Sequence, residues 1–148
     1  MRIALGADHA GVALKDQLKQ QLDERGVSYT DFGTFTTESV DYPDIAAQVG
    51  REVASGAFDR GLLVCGSGIG VAIAANKVPG VRAAPVNDEA SARLSRAHND
   101  ANVLALGARL IDHDRAVRLL DVFLDTPFEG GRHQRRIDKI SALDQVPR

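Results

Sequence analysis

The chain has 148 residues, 44% hydrophobic and 26% charged, with a net charge of −2 and one cysteine. That length and apolar content fit one domain with a real core, residues 1–148, and the near-neutral charge argues against nucleic acid as a partner. A lone cysteine excludes a disulfide framework and suits a reducing compartment. The short apolar N-terminal run is ended by Asp8 and His9, unlike a signal peptide, and no segment is long enough to span a bilayer. The expectation is therefore a cytoplasmic protein with no membrane partner.

In chain order, residues 3–7 read as a first strand. Residues 11–25 read as an amphipathic helix with Leu14, Leu18 and Leu22 on one stripe, stopped by Gly26. Residues 27–32 make a second strand, 33–43 a polar loop and 45–54 a helix. Residues 61–65 make a third strand that runs into a glycine loop and a helix reaching about Asn76. Pro79-Gly80 is a turn, 81–86 a fourth strand, and Asn87 or Asp88 caps a helix that reaches about Arg96. Residues 103–106 make a fifth strand and 115–124 an amphipathic helix broken by Pro127. Residues 130–148 make a basic C-terminal helix and tail, with 145–148 reading as loose.

Five successive βα units imply a parallel sheet covered on both faces. With right-handed crossovers this is an α/β fold, a Rossmann-like three-layer α/β/α sandwich on a five-stranded parallel sheet. Ligands in such sheets bind at the carboxyl ends of the strands. Asp8-His9, residues 65–70 and the turn near Asn87 fall there, whereas His98-Asn99 precedes the fifth strand at a helix end.

The densest chemical signal is the loop after the third strand. Cys65 stands where a buried strand ends. Gly66, Gly68 and Gly70 alternate with Ser67 and Ile69 and leave backbone N–H groups to point at an anion. A thiol there faces the positive end of a helix dipole, a place that favours negative charge. A base beside an oxyanion cradle is what proton abstraction next to a carbonyl requires. The alternatives are a buried structural thiol and a tight turn without a ligand. A dinucleotide fingerprint would need glycine at Val71, and no Gly-Lys-Ser/Thr follows for a P-loop.

Other candidates carry paired readings. Asp8 either caps the next helix or accepts hydrogen bonds from sugar hydroxyls. His98 is either a favourable dipole partner or an acid/base group, with Asn99 beside it as donor and acceptor. Arg132 and Arg136, four apart on one helix face, are either a solvated basic surface or bidentate holders of a phosphate monoester, with Arg109 able to join them. The four histidines (His9, His98, His113, His133) are far apart in sequence, so no metal site is expected.

Several segments together resemble the ribose-5-phosphate isomerase B family, which also includes galactose-6-phosphate isomerase subunits. They are residues 6–11, Asp41-Tyr42-Pro43-Asp44, residues 65–70, Ala74-Ala75-Asn76-Lys77 and residues 98–104, and the resemblance runs as far as Arg136. It implies an aldose–ketose isomerase working on ribose 5-phosphate without metal or cofactor. Cys65 would move the proton between the first two carbons and His98 would assist ring opening. Asp8, His9 and Asn99 would hold hydroxyls or phosphate. The N–H groups of Gly66, Ser67, Gly68, Ile69 and Gly70 would stabilise the enediolate, and Arg132, Arg136 and Arg109 would bind phosphate.

The resemblance also implies a homodimer or homotetramer whose sites draw on two chains. Galactose-type relatives divide the residues between two different subunits, whereas this chain carries both Cys65 and His98. One branch of the family has an acidic residue just after the loop in place of the cysteine. Val71 stands there, so this chain resembles the cysteine branch. The alternatives are the same mechanism on a tetrulose, allose or galactose phosphate, a non-catalytic nucleotide-binding module, and a cysteine hydrolase using Cys65 and His98.

Overall fold

The computed structural model describes residues 1–145. Of the expected loose tail, Gln145 closes a turn, and residues 146–148 lie outside the described residues. Strands β1 (Arg2–Ala7), β2 (Ser28–Asp31), β3 (Arg60–Cys65), β4 (Ala83–Pro85) and β5 (Val103–Gly107) form one parallel sheet in the order β2-β1-β3-β5-β4. The helices are α1 (Val12–Glu24), α2 (Tyr42–Ala54), α3 (Ile69–Ala75), α4 (Glu89–Ala97), α5 (His113–Asp125) and α6 (Arg132–Leu143).

Strand alternation sorts the side chains into two cores. Ile3, Leu5, Leu62, Val64, Leu104 and Leu106 face one side, where they meet Leu14, Leu18 and Leu22 of α1, Ala92 of α4 and Leu119, Leu120 and Phe123 of α5. Ala4, Leu63, Cys65, Val103 and Ala105 face the other, under Ala46, Val49 and Val53 of α2 and Val71, Ala72 and Ala75 of α3. This is the expected three-layer sandwich. Among the described residues no helix is long and apolar enough to cross a membrane.

Element boundaries differ from the sequence reading where local chemistry overrides the pattern. α2 begins at Tyr42, before residue 45, because Pro43 fits the first helical turn, where no N–H is needed. α5 begins at His113, before residue 115, because the Asp112 carboxylate accepts the Arg115 N–H at 2.8 Å as an N-cap. α1 is preceded by a short 3₁₀ turn, His9–Gly11, capped by Asp8. β4 keeps only three of the expected residues 81–86. At Arg82 the N–H donates to the Asn102 side chain at 2.7 Å, so the ladder starts at Ala83. Pro85 has no N–H and sits on this edge strand, where its absence costs least.

The topology also places a crevice. From β1 the chain moves outward to β2, then returns to lay β3 on the other side of β1. Such a switch leaves the carboxyl ends of the two central strands open between diverging connections. Those ends carry Asp8 and Cys65.

Candidate active site

Cys65 ends β3 and is buried, 5% exposed. Gly68 adopts a left-handed φ of 77°, natural for glycine, and this turns its N–H back to donate to Cys65 Sγ at 3.2 Å. The Ser67 hydroxyl accepts the Ile69 N–H at 3.2 Å. Two of the five loop amides are therefore spent inside the loop. The first turn of α3 supplies others, since the N–H groups of Gly70 and Val71 have no acceptor within the helix. The loop lies hard against β5: a Cβ on Gly107 would stand 2.6 Å from the Ser67 backbone.

Arg109, just beyond β5, lays its guanidinium over the loop, with Nη1 2.9 Å from where a Gly66 Cβ would be. Asp8 is buried and its Oδ1 accepts the Ala10 N–H at 3.0 Å, so the capping reading holds for that oxygen. His9 Nδ1 accepts the Val40 N–H at 3.2 Å. In the neutral ring this leaves the proton on Nε2. Asp8, Cys65, Gly66, Ser67, Gly70 and Arg109 line an open cleft of about 520 Å³ with Tyr42 and the apolar Ile69, Ile73 and Leu110. Tyr42 was not among the sequence candidates. Its segment contributed to the family resemblance, but a lone tyrosine in a polar stretch announces no chemistry.

A buried ion pair supports this end. Lys15 of α1, fully buried, meets Asp31 at 2.7 Å, donates to the Thr34 carbonyl and lies over the Phe35 ring. Asp31 also holds Lys19 at 3.0 Å. Burial pushes the Asp31 carboxyl up, but Lys15, the Gly33 N–H and Lys19 outweigh it and hold the group below its ordinary value. The segment anchored here leads to Val40, the partner of His9.

The second group of candidates lies at the opposite end of the sheet. β5 runs parallel to β3, with Val103 opposite Gly61 and Gly107 opposite Cys65. The ends of this register stand about 13 Å apart at roughly 3.3 Å per residue. His98 caps the C-terminus of α4 and precedes Val103, so it sits at the far end from Cys65. Asn99 is exposed and lines a groove with Asn76, Arg82, Ile140 and Leu143. Asp100 takes the left-handed conformation that ends the helix (φ 45°), tied to Arg96 at 2.8 Å and Arg82 at 3.4 Å.

α6 packs beside this corner. The His133 ring stacks on His98 with centroids 4.2 Å apart and planes 16° from parallel. The Glu129 carboxylate lies 3.9 Å from His98 Nε2 and 3.6 Å from His133 Nε2. Burial, then the neighbouring His98 and Arg132, hold the His133 imidazole below its ordinary value; Glu129 opposes them and Arg136 adds to them.

The candidates thus form two half-sites in one chain. Asp8, His9, residues 65–70 and Arg109 gather at the carboxyl end of the sheet, and His98, Asn99, Arg132 and Arg136 gather at the other. Arg109 does not join the other two arginines within the chain, because the end of β5 carries it to Gly66. Conversely, His98 and His133, distant in sequence, are brought into contact. One half offers a thiol, amide donors and a guanidinium, a set suited to proton transfer beside a developing oxyanion. The other offers an imidazole and two guanidinium groups, suited to a sugar ring oxygen and a phosphate.

The profile of the Ribose/Galactose Isomerase family matches residues 3–140. Ribose-5-phosphate isomerase B of Escherichia coli (strain K12) is 47% identical over 144 residues, covering 97% of each chain. The solved structure of Clostridium thermocellum ribose-5-phosphate isomerase B superposes with a TM-score of 0.97 at 48% identity, covering 98% of each chain. That of ribose-5-phosphate isomerase B from Mycoplasma genitalium, with bound ribulose-5-phosphate, superposes with a TM-score of 0.95 at 41% identity. It covers 99% of this chain and 97% of that one.

Proposed function

The chain belongs to the ribose/galactose isomerase family and is an isomerase, and on that premise we propose that it interconverts ribose 5-phosphate and ribulose 5-phosphate in the cytoplasm. The observation that carries the reading is Cys65 Sγ, held by the Gly68 N–H at the wall of a cleft that also contains Asp8 and Arg109. A thiolate there takes the proton from the carbon beside the carbonyl and returns it to the neighbouring carbon. The amides at the start of α3 face the charge that develops on oxygen between these steps. His98 passes a proton to the ring oxygen so that the sugar opens. Arg132 and Arg136 grip the phosphate and fix the sugar against the base.

These roles need His98 next to Cys65, which one chain does not provide. A second copy of the chain therefore completes each site, in a homodimer or a larger homo-oligomer. The rim of the Cys65 cleft favours this, because Ile69, Ile73 and Leu110 are 53%, 59% and 57% exposed, an apolar border suited to cover by another protein surface. Asp8, His9 and Asn99 hold hydroxyls in the completed site.

The test is turnover of ribose 5-phosphate by the purified chain with a chelator present, beside tetrose and hexose phosphates. Preferential conversion of ribose 5-phosphate is expected. Preference for another sugar length keeps the chemistry and reassigns the substrate, whereas no turnover of any aldose phosphate overturns the proposal.

A further inference from the structure

We propose that Lys15 is a positioning residue for the substrate site: from inside the fold its ammonium sets the course of residues 35–41 and, through the Val40 N–H, the tautomer of His9. The effect on substrate rests on the role given to His9 above; the effect on the tautomer rests on geometry alone.

The chain leaving β2 is clamped to the end of β1. The Ala7 N–H donates to the Gly33 carbonyl and the Thr34 N–H to the Ala7 carbonyl, each at 2.7 Å. The next two groups, the Thr34 carbonyl and the Phe35 ring, are both held by the Lys15 ammonium. It donates to the carbonyl and lies 4.7 Å from the ring centroid. The direction of the Thr34 carbonyl fixes the plane of the peptide that follows, so this hold decides where the chain goes next. Residues 35–39 are exposed. The segment is gripped again at Val40, whose N–H donates to His9 Nδ1 at 3.2 Å, and α2 then begins at Tyr42.

Lys15 can anchor the segment because its own place is fixed. It is fully buried and meets Asp31 at 2.7 Å, and Asp31 in turn accepts the Gly33 N–H at 2.9 Å and Lys19 at 3.0 Å. The backbone around His9 is fixed too. The Asp8 N–H donates to the Val64 carbonyl at 3.1 Å, and a Cβ on Gly11 would stand 2.5 Å from the same oxygen. The His9 ring differs, because its Nδ1 bond comes from the far end of an exposed segment. An N–H donated to Nδ1 requires a lone pair there and leaves the proton on Nε2, ready to donate to a substrate oxygen. If the segment moves out of hydrogen-bond reach, the ring can carry its proton on either nitrogen.

The experiment records imidazole nitrogen–proton correlation spectra of isotope-labelled full-length protein, with KM and kcat for ribose 5-phosphate read in parallel. The variants are Lys15→Met, the double variant Lys15→Met/Asp31→Asn, and Val40→Pro; loss of signals in His9→Gln assigns the His9 ring. The double variant removes the carboxylate that Lys15→Met alone leaves buried and short of a partner, so it recovers stability without recovering the tether. Val40→Pro removes the N–H itself and leaves the buried pair intact. The wild type is expected to hold the His9 proton on Nε2, and all three variants to divide it between the two nitrogens. Their KM is expected to rise about fivefold, the worth of one hydrogen bond, with kcat little changed. Adding Lys15→Met to His9→Gln should raise KM no further, because both act through one ring. A double variant that regains wild-type KM along with its stability shows a merely structural role and overturns the proposal. So does a wild-type tautomer in the folded double variant or in Val40→Pro. Mixed tautomers with KM unchanged overturn the substrate half and leave the isomerase reading standing. Absence of turnover in the wild type overturns the substrate half together with that reading, while the spectra still decide the tautomer half.

Discussion

At the Cys65 end the geometry is set by backbone: a left-handed glycine aims an amide at sulfur, and further amides open α3. At the His98 end it is set by side chains at a helix terminus, with stacked rings, an exposed carboxylate and two arginines. The first half is set once the sheet forms, since β3, β5 and the loop are in mutual contact. The second is less fixed by backbone, because it is built from side chains, among them the exposed Glu129 carboxylate. A half that must hold an oxyanion benefits from fixed dipoles that need no reorganisation. A half that must exchange protons and grip a mobile phosphate benefits from titratable and flexible groups.

The sharpest way to break this contrast is Cys65→Ala. Turnover is expected to fall at least roughly 10²–10⁴-fold, the usual contribution of a positioned acid or base, with sugar-phosphate binding retained. Retained turnover removes the base from the mechanism. Next comes Gly107→Ala, whose Cβ would meet the Ser67 backbone at 2.6 Å. The forced shift is expected to cost about 1–3 kcal/mol in chemical denaturation and to depress kcat, because it moves the loop itself. A variant as stable and active as wild type would show the loop to be less constrained than its packing implies.

At the His98 end, Arg132→Ala is expected to raise KM by roughly tenfold or more, the loss of a charge-assisted hydrogen bond, with kcat little changed. An unchanged KM means that the phosphate sits elsewhere. The smallest effect is on pH dependence. His133 titrates below its ordinary value of 6.5, so the unfolded chain takes up that proton first. The folding stability linked to this group is present above that value and is lost as pH falls through the histidine range. Urea unfolding across this range should show the loss, and His133→Gln should reduce it. An identical pH profile in the variant contradicts the assignment.

The features legible in the sequence are those written in contiguous residues. The loop at residues 65–70 announces its glycine turn, the Leu14, Leu18 and Leu22 stripe its helix face, and Asn87 or Asp88 a cap, of which Asp88 serves by accepting the Ser91 N–H at 2.7 Å. What local patterns do not encode is the strand order, and the site depends on it. With β5 between β3 and β4, Arg109 is delivered to Gly66 while Arg132 and Arg136 stay with His98. Lys15 interrupts the polar face of α1 as an ordinary lysine would, yet it is fully buried because Asp31 and a carbonyl wait for it. His133 belongs to a stretch that reads as a basic surface and Glu129 to the break before it, and only packing on the end of α4 reveals them as neighbours of His98.

The central claim is that each working site joins the Cys65 half of one copy to the His98 half of another. The most direct measurement mixes Cys65→Ala and His98→Ala chains, each inactive alone, by co-expression or joint refolding, with mass measurement verifying mixed oligomers. The account predicts that turnover reappears in the mixed oligomers, because one pairing of halves is then intact. Mixed oligomers that form and stay inactive, or a monomer that turns over at the full rate, would contradict it.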